Sequence, residues 1–172
     1  VVSTVLVFLA LSTNAWFTPQ PISETLQLVR SFSILALSTT LSTLGFLLAG
    51  FTIFATITQP TLSLAMAELK HPESGLSWLK HNYFVFLRVF IYYLVFAVFC
   101  LVIQMFGHKG GVIPLVVSYS PYSEHVKFAV VKIGYVMIFT GAYFLIMQLK
   151  SFIFNIYHSV MTALRWKAEG YD

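Results

Sequence analysis

Ser31 to Ala67 is a stretch of 37 residues without one charged side chain, and its middle, Phe32 to Ile57, is almost continuously apolar. A surface helix of a water-soluble protein alternates an apolar stripe with a polar face, whereas a helix that is apolar all round needs lipid or other helices around it. The whole composition agrees, since 58% of the residues are hydrophobic and only 9% are charged. The sequence therefore predicts an integral membrane protein.

Four apolar segments are interpreted as transmembrane helices. They are Val1 to Phe17, Phe32 to Ile57, Tyr83 to Phe106 and Val126 to Leu149. About 20 helical residues cross the hydrocarbon core, so the first segment is marginal and is expected to begin upstream of Val1. All four are longer than the ~10-residue alternating strands of a membrane barrel. We therefore predict an all-α integral membrane protein with four transmembrane helices in a single domain, residues 1–172.

The connections carry further helix and turn signals. Leu62 to Lys70 has a helical composition and follows Pro60, with Thr61 as the expected N-cap, so a short helix is predicted along the inner membrane surface. On the other side, the connection from Gly107 to His125 contains the apolar segment Val112 to Val117 between turn residues. This connection is expected to fold back onto the outer helix ends as a small hairpin.

The fourth span has no proline between Val126 and Glu169. It is therefore expected to leave the membrane and continue as a cytosolic helical tail over residues 150–172. Polar residues recur on one side of this helix from its middle onward: Gln148, Ser151, Asn155, His158, Thr162 and Arg165. This stripe has two interpretations. It is an ordinary solvated face, or it is a docking face for a soluble partner or for sister helices. Apolar residues, among them Ile156, Val160 and Leu164, lie on the other side of the helix.

The positions of the basic residues predict the orientation. Six lie at the inner connection or the tail and four on the opposite side: Lys70, Lys80, Arg88, Lys150, Arg165 and Lys167 against Arg30, Lys109, Lys127 and Lys132. Lys and Arg are retained on the cytoplasmic side of a membrane. We therefore expect both termini and the Thr61 to Lys80 connection in the cytoplasm, residues 107–125 outside, and a bacterial inner membrane as the location.

Small residues follow one face of the second span, at Ser38, Ser42, Gly45, Ala49, Thr52 and Thr56. Such a face allows another helix backbone to approach closely in lipid. Its partner is either span one or span four of the same chain, or the same face of a second copy. Gly134 and Gly141 form a second small-residue seam on the fourth span.

Lys132 lies inside the fourth span. A lysine within the membrane is a candidate functional residue that lines a cavity or an oligomer lumen. The alternative is that its long side chain extends to the outer interface.

No enzymatic site is expected. Cys100 is the only cysteine and Asp172 the only aspartate, which excludes a dithiol redox pair and an aspartyl intramembrane protease within one copy. The histidines show no metal-binding spacing, and no phosphate loop or nucleophile motif is present, so we predict neither metal nor cofactor. The basic residues are scattered, which argues against direct nucleic-acid binding.

Two segments carry a resemblance to a known group of proteins. They are the Gly-Phe pattern of residues 44–54, LGFLLAGFTIF, and the start of the third span at residues 80–84, KHNYF. Together with the span layout they resemble small four-span bacterial membrane proteins of defence operons, such as the membrane subunit of the Kiwa anti-phage system. The resemblance implies a homo-oligomeric inner-membrane protein that holds a soluble DNA-binding partner on its cytosolic face and responds to phage. It implies no catalytic residues.

These observations predict a non-enzymatic membrane scaffold or sensor. Its expected partners are membrane lipid, further copies of itself and a soluble cytosolic protein. Two other classes remain open, an oligomeric pore with Lys132 towards its lumen and a small enzyme acting on lipids.

Overall fold

The protein is described by a computed structural model over residues 2–18, 20–57, 60–72, 74–108, 110–119 and 122–170. Its helices are α1 (Val2–Phe17), α2 (Ile22–Ile57), α3 (Pro60–Glu68), α4 (Trp78–Phe106), α5 (Val112–Ser118) and α6 (Ser123–Ala168). Within these described ranges the only β-type pairing is an isolated antiparallel bridge between Lys70 and Ser77. The predicted all-α fold is confirmed.

Three helices, α2, α4 and α6, are long and apolar enough to cross a membrane. The fourth predicted span corresponds to α1, which is apolar but has 16 residues, fewer than the ~20 that cross the hydrocarbon core. An integral membrane protein is therefore supported by three helices, and the span formed by α1 stays a prediction.

The long helices begin earlier than apolarity alone predicts. α2 begins ten residues before Phe32, at Ile22, α4 begins at Trp78 instead of Tyr83, and α6 begins at Ser123. The added first turn of α2 contains Glu24, whose charge is favourable at a helix N-terminus. Polar helical turns that extend an apolar span give no hydropathy signal, which explains the difference.

The inner connection contains the predicted short helix, but the predicted N-cap is wrong. α3 begins at Pro60, and proline suits the first position of a helix, so Thr61 lies inside α3. After α3 the chain makes a tight turn in which the N–H of His71 donates to the carbonyl of Leu76 at 2.7 Å. The N–H of Trp78 donates to the carbonyl of Leu69 at 3.0 Å. The turn therefore brings the end of α3 next to the start of α4.

The predicted hairpin around Val112 to Val117 is also wrong, because this segment is the seven-residue helix α5. Pro114 lies in its first turn, where the backbone N–H groups have no partner within the helix. A proline therefore costs α5 no hydrogen bond, whereas a hairpin would have needed paired strands.

The chain divides into two compact units. The first unit contains Val1–Leu41 and Leu94–Ile146, and the second contains Ser42–Tyr93 and Met147–Asp172. Buried hydrophobic residues of the first unit are Ala15, Val29, Ala36, Phe96, Ala97, Cys100, Val131, Val136, Ile138 and Leu145. Those of the second unit are Leu47, Phe54, Leu62, Phe86, Val89, Tyr93 and Phe152.

Close helix contacts and two polar links hold the first unit together. A Cβ atom built on Gly141 of α6 would lie 2.6 Å from the ring of Phe96 on α4, so the absent side chain permits this contact. The Arg30 guanidinium donates to the carbonyl of Gly107 at 2.8 Å, and the Gln104 amide donates to the carbonyl of Ser33 at 3.1 Å. These partly buried bonds join α2 to the C-terminal end of α4.

Aromatic packing dominates the second unit. Phe86 lies between Phe54 on α2 and Phe152 on α6, with ring centroids 4.8 Å and 5.3 Å away. A Cβ atom built on Gly50 would lie 2.7 Å from Ile156 Cδ1, so α2 and α6 also meet at a glycine here.

Candidate functional site

The small-residue face of α2 is open to the surroundings. Ser38, Ser42, Gly45, Ala49 and Thr52 are all exposed, as is Thr56. A Cβ atom built on Gly45 would have no described neighbour within 4 Å. The face therefore has room for a second helix.

The chain itself packs a different side of α2. In the second unit the covered positions are Leu47, which is 1% exposed, Gly50 and Phe54. Gly50, not Gly45, is the glycine at which α6 approaches closely. No described residue covers this face at Gly45, and which of the two partners packs on the face stays a prediction.

The two glycines of the fourth-span seam have different surroundings. Gly141 is in contact with Phe96, whereas a Cβ atom built on Gly134 would meet no described atom within 4 Å. Only Gly141 therefore acts as a packing glycine within the first unit.

Lys132 is covered by the chain. It is 2% exposed, and its ammonium group lies 5.3 Å from the centroid of the Phe128 ring. A cation over an aromatic face is attracted by the ring electrons. This covered position does not fit a side chain that extends to the interface, and Lys132 lines neither of the cavities described below.

The predicted docking residues of the tail do not form one uniform surface. Ser151, His158, Thr162 and Arg165 are exposed, whereas Gln148 and Asn155 are half-buried. Apolar residues are also divided. Phe152 is 2% exposed, while Phe154, Tyr157 and Leu164 are 66%, 62% and 55% exposed. We call Phe154, Tyr157, Leu164 and Arg165 the outer tail face, a surface that combines three apolar or aromatic side chains with one cation.

A neighbouring side of the tail forms one wall of a cavity of about 370 Å³ in the second unit, which we call the tail cavity. Its apolar walls come from α2, α3 and the residue after α3: Phe54, Leu62, Ala65, Met66 and Leu69. Two tryptophan rings, Trp78 at the start of α4 and Trp166 near the end of α6, complete these walls. This volume falls within the range of small-molecule pockets.

Five polar residues line the same cavity: Asn82, Asn155, His158, Ser159 and Thr162. The Ser159 hydroxyl donates to the carbonyl of Asn155 at 2.8 Å, and the Thr162 hydroxyl donates to the carbonyl of His158 at 2.9 Å. The described residues show no side-chain hydrogen bond from the carboxamides of Asn82 and Asn155. Both residues are half-buried and line the cavity.

A second cavity of about 620 Å³ in the second unit is apolar. Its walls include Leu48 and Phe51 of α2, Phe84 and Leu87 of α4, and Phe152 of α6, and Lys80 is its one charged lining residue. Such a surface suits a lipid acyl chain in a membrane.

A pair of stacked histidines lies beside the turn between α3 and α4. The rings of His71 and His81 have centroids 4.0 Å apart, and His81 Nδ1 is 3.2 Å from the Ser74 hydroxyl. This pair could not be recognised from spacing, because the two residues are ten positions apart, although Pro72 and Gly75 between them indicate a turn. Across the described ranges, no group of three His, Cys, Asp or Glu side chains could hold a metal ion.

Comparison of the chain with protein-family models, with curated proteins and with solved structures finds no match.

Proposed function

We propose that this protein is a non-enzymatic scaffold or sensor of a bacterial inner membrane, which assembles with copies of itself and recruits a soluble cytosolic protein. In this proposal α1 is a fourth span, both termini are cytoplasmic, and α6 extends from the membrane into the cytosol. The resemblance to defence-operon membrane proteins makes antiviral defence the proposed setting.

The length and exposed surface of α6 are the observations that carry the proposal. Its 46 residues correspond to about 69 Å, more than twice the number of residues that a membrane span needs. The outer tail face lies in the last third of this helix. Tyrosine and arginine are among the residue types that contribute most to protein interfaces. A helix with this face is suited to bind a soluble partner.

Self-association is supported by the open face of α2. Lipid removes most of the hydrophobic force between helices, so membrane helices associate through close backbone approach at small residues. The face at Ser42, Gly45 and Ala49 is exposed in one chain. We therefore assign it to the contact between copies.

The recruitment part is tested by replacing Tyr157 and Arg165 with alanine in one double variant. We expect membrane insertion and oligomer mass to be retained, because both side chains are exposed. Retention of the co-purifying cytosolic protein should fall at least about tenfold, since truncation of interface tyrosine and arginine residues often has effects of this size. The measurement is quantitative co-purification in mild detergent.

Lys167→Ala is the matched control, because Lys167 is also exposed but is not part of the outer tail face, and it lies about 160° from Arg165 and about 80° from Tyr157 around the helix. It should retain the partner. If the double variant retains all co-purifying proteins, the docking role of the tail is wrong, and the pore alternative takes its place.

The orientation is tested by single-cysteine labelling. Cys100→Ser removes the native thiol, and Ser74→Cys and Ser118→Cys place a thiol at exposed positions on the two predicted sides. A membrane-impermeant maleimide added to intact cells should label position 118 and not position 74. The reverse pattern would show that the predicted orientation is inverted.

A further inference from the structure

We propose that the tail cavity binds an uncharged planar ring compound that carries two carbonyl groups. The cavity is formed wholly within the second unit, by α3, the start of α4 and the tail of α6, with Phe54 of α2 at one wall. Nothing in the proposed recruitment of a protein requires such a ligand, because none of the four residues of the outer tail face lines the cavity. The site is therefore an additional one.

Because no Lys, Arg, Asp or Glu lines the cavity, we expect the ligand to be uncharged. An ionic group that entered would lose hydration without gaining an opposite charge, which is costly in a partly enclosed site. A neutral ligand avoids this cost.

The aromatic and apolar walls favour a flat ring. Trp78 and Trp166 line the cavity together with Leu62, Met66 and Leu69. Indole rings bind planar partners by offset or edge-to-face packing, and the aliphatic side chains cover the remaining apolar surface of a ring.

The carboxamides favour carbonyl groups on that ring. The amide nitrogens of Asn82 and Asn155 donate hydrogen bonds, and a ring nitrogen of His158 can do so as well. Asn82 comes from α4 and Asn155 from α6, so a ring between them can receive a hydrogen bond at each of two carbonyl oxygens. Donors that are already half-buried lose little further hydration when they bind, which favours complex formation.

Two natural sources supply this chemistry, a membrane quinone and a water-soluble pyrimidine base with two ring carbonyls, uracil or thymine. The test uses the purified full chain in mild detergent and equilibrium dialysis against menadione and, separately, against uracil. Protein-free micelles correct for partition of each probe into detergent. We expect saturable binding of one probe molecule per chain. Menadione binding would assign the site to a quinone, and uracil binding would assign it to a soluble base.

Three variants and one control decide whether the bound probe occupies this cavity. Asn82→Leu and Asn155→Leu each remove one donor while keeping the branch at Cγ, and should weaken binding about tenfold. Ala65→Phe places a ring inside the cavity and should abolish binding without removing a polar group. Asn14→Leu is the matched control on α1, where Asn14 is exposed, and should bind as the unmodified chain does.

Thermal unfolding of each variant shows whether it is folded. If an asparagine variant is unfolded, the binding measured with Ala65→Phe is the result that counts. The proposal is overturned if neither probe binds saturably. It is also overturned if binding persists unchanged in the folded variants among Asn82→Leu, Asn155→Leu and Ala65→Phe.

Discussion

Gly141→Ala should destabilise the first unit by about 1–3 kcal/mol, the range typical of an overpacked core. The new Cβ atom would lie 2.6 Å and 2.9 Å from two ring carbons of Phe96, closer than carbon atoms can approach. Phe96 is itself buried, so its ring has little room to move. Relief of this clash would require α4 and α6 to separate. Gly141→Leu should have a larger effect, because a longer side chain must occupy the same contact.

Gly134→Ala is the matched control for this prediction. Gly134 lies seven residues earlier on the same helix, and its added Cβ atom would meet no described atom within 4 Å. Alanine has a higher helix propensity than glycine, so this variant should be unchanged or up to about 1 kcal/mol more stable. Thermal unfolding in mild detergent measures both variants. Equal stabilities of the two would contradict the packing role of Gly141.

If copies assemble through α2 as proposed, Gly45→Leu should dissociate the oligomer into smaller species, because a leucine side chain would hold the two α2 helices apart at their contact. Membrane helices that associate through small residues depend on close backbone approach, and a large residue at the contact removes most of that packing. Within one chain the substitution meets no described neighbour, so the fold of the monomer should be retained. Native mass spectrometry measures the change in oligomer mass.

Two control variants separate dissociation from unfolding. Thr39→Leu also adds bulk at an exposed position of α2, but Thr39 lies about 120° away from Gly45 around the helix. Its oligomer mass should not change. Leu47→Ala removes a side chain that is 1% exposed and should lower stability without altering oligomer mass. An unchanged mass for Gly45→Leu would mean that this face is not a contact between copies.

The elements that could be predicted from the sequence are those set by local properties. The absence of charge from Ser31 to Ala67 predicts a membrane helix, and the absence of proline after Val126 predicts the single long helix α6, which the structure confirms. The first turns of α2, α4 and α6 are polar, so the apolar pattern of the sequence did not predict that these helices begin there. The apolar pattern also could not distinguish a hairpin from the short helix α5, because a seven-residue apolar segment fits either.

In the candidate sites too, the spacing along one helix could be predicted from the sequence, whereas the contacts between helices could not. The sequence identified Asn155, His158 and Thr162 as one polar stripe on the tail, since their spacing places them near one another on a helix. That these residues meet Asn82 of α4 around a cavity depends on how α4 packs against α6 in the second unit, which the stripe alone does not predict.

Helical periodicity determined which side chains share a face, and only the tertiary structure decided which face meets a neighbour. The sequence does not distinguish Gly45 from Gly50, or Gly134 from Gly141. In the structure Gly50 and Gly141 are packed against side chains, whereas a Cβ atom added to either of the other two would meet no described atom within 4 Å. In a water-soluble helix the apolar side indicates the buried side. In a helix that is apolar all round this signal is absent, because lipid solvates an apolar side chain as well as another helix does. The packed side is then selected by the shapes of particular neighbours, here Phe96 at Gly141 and Phe152 with Ile156 at Gly50.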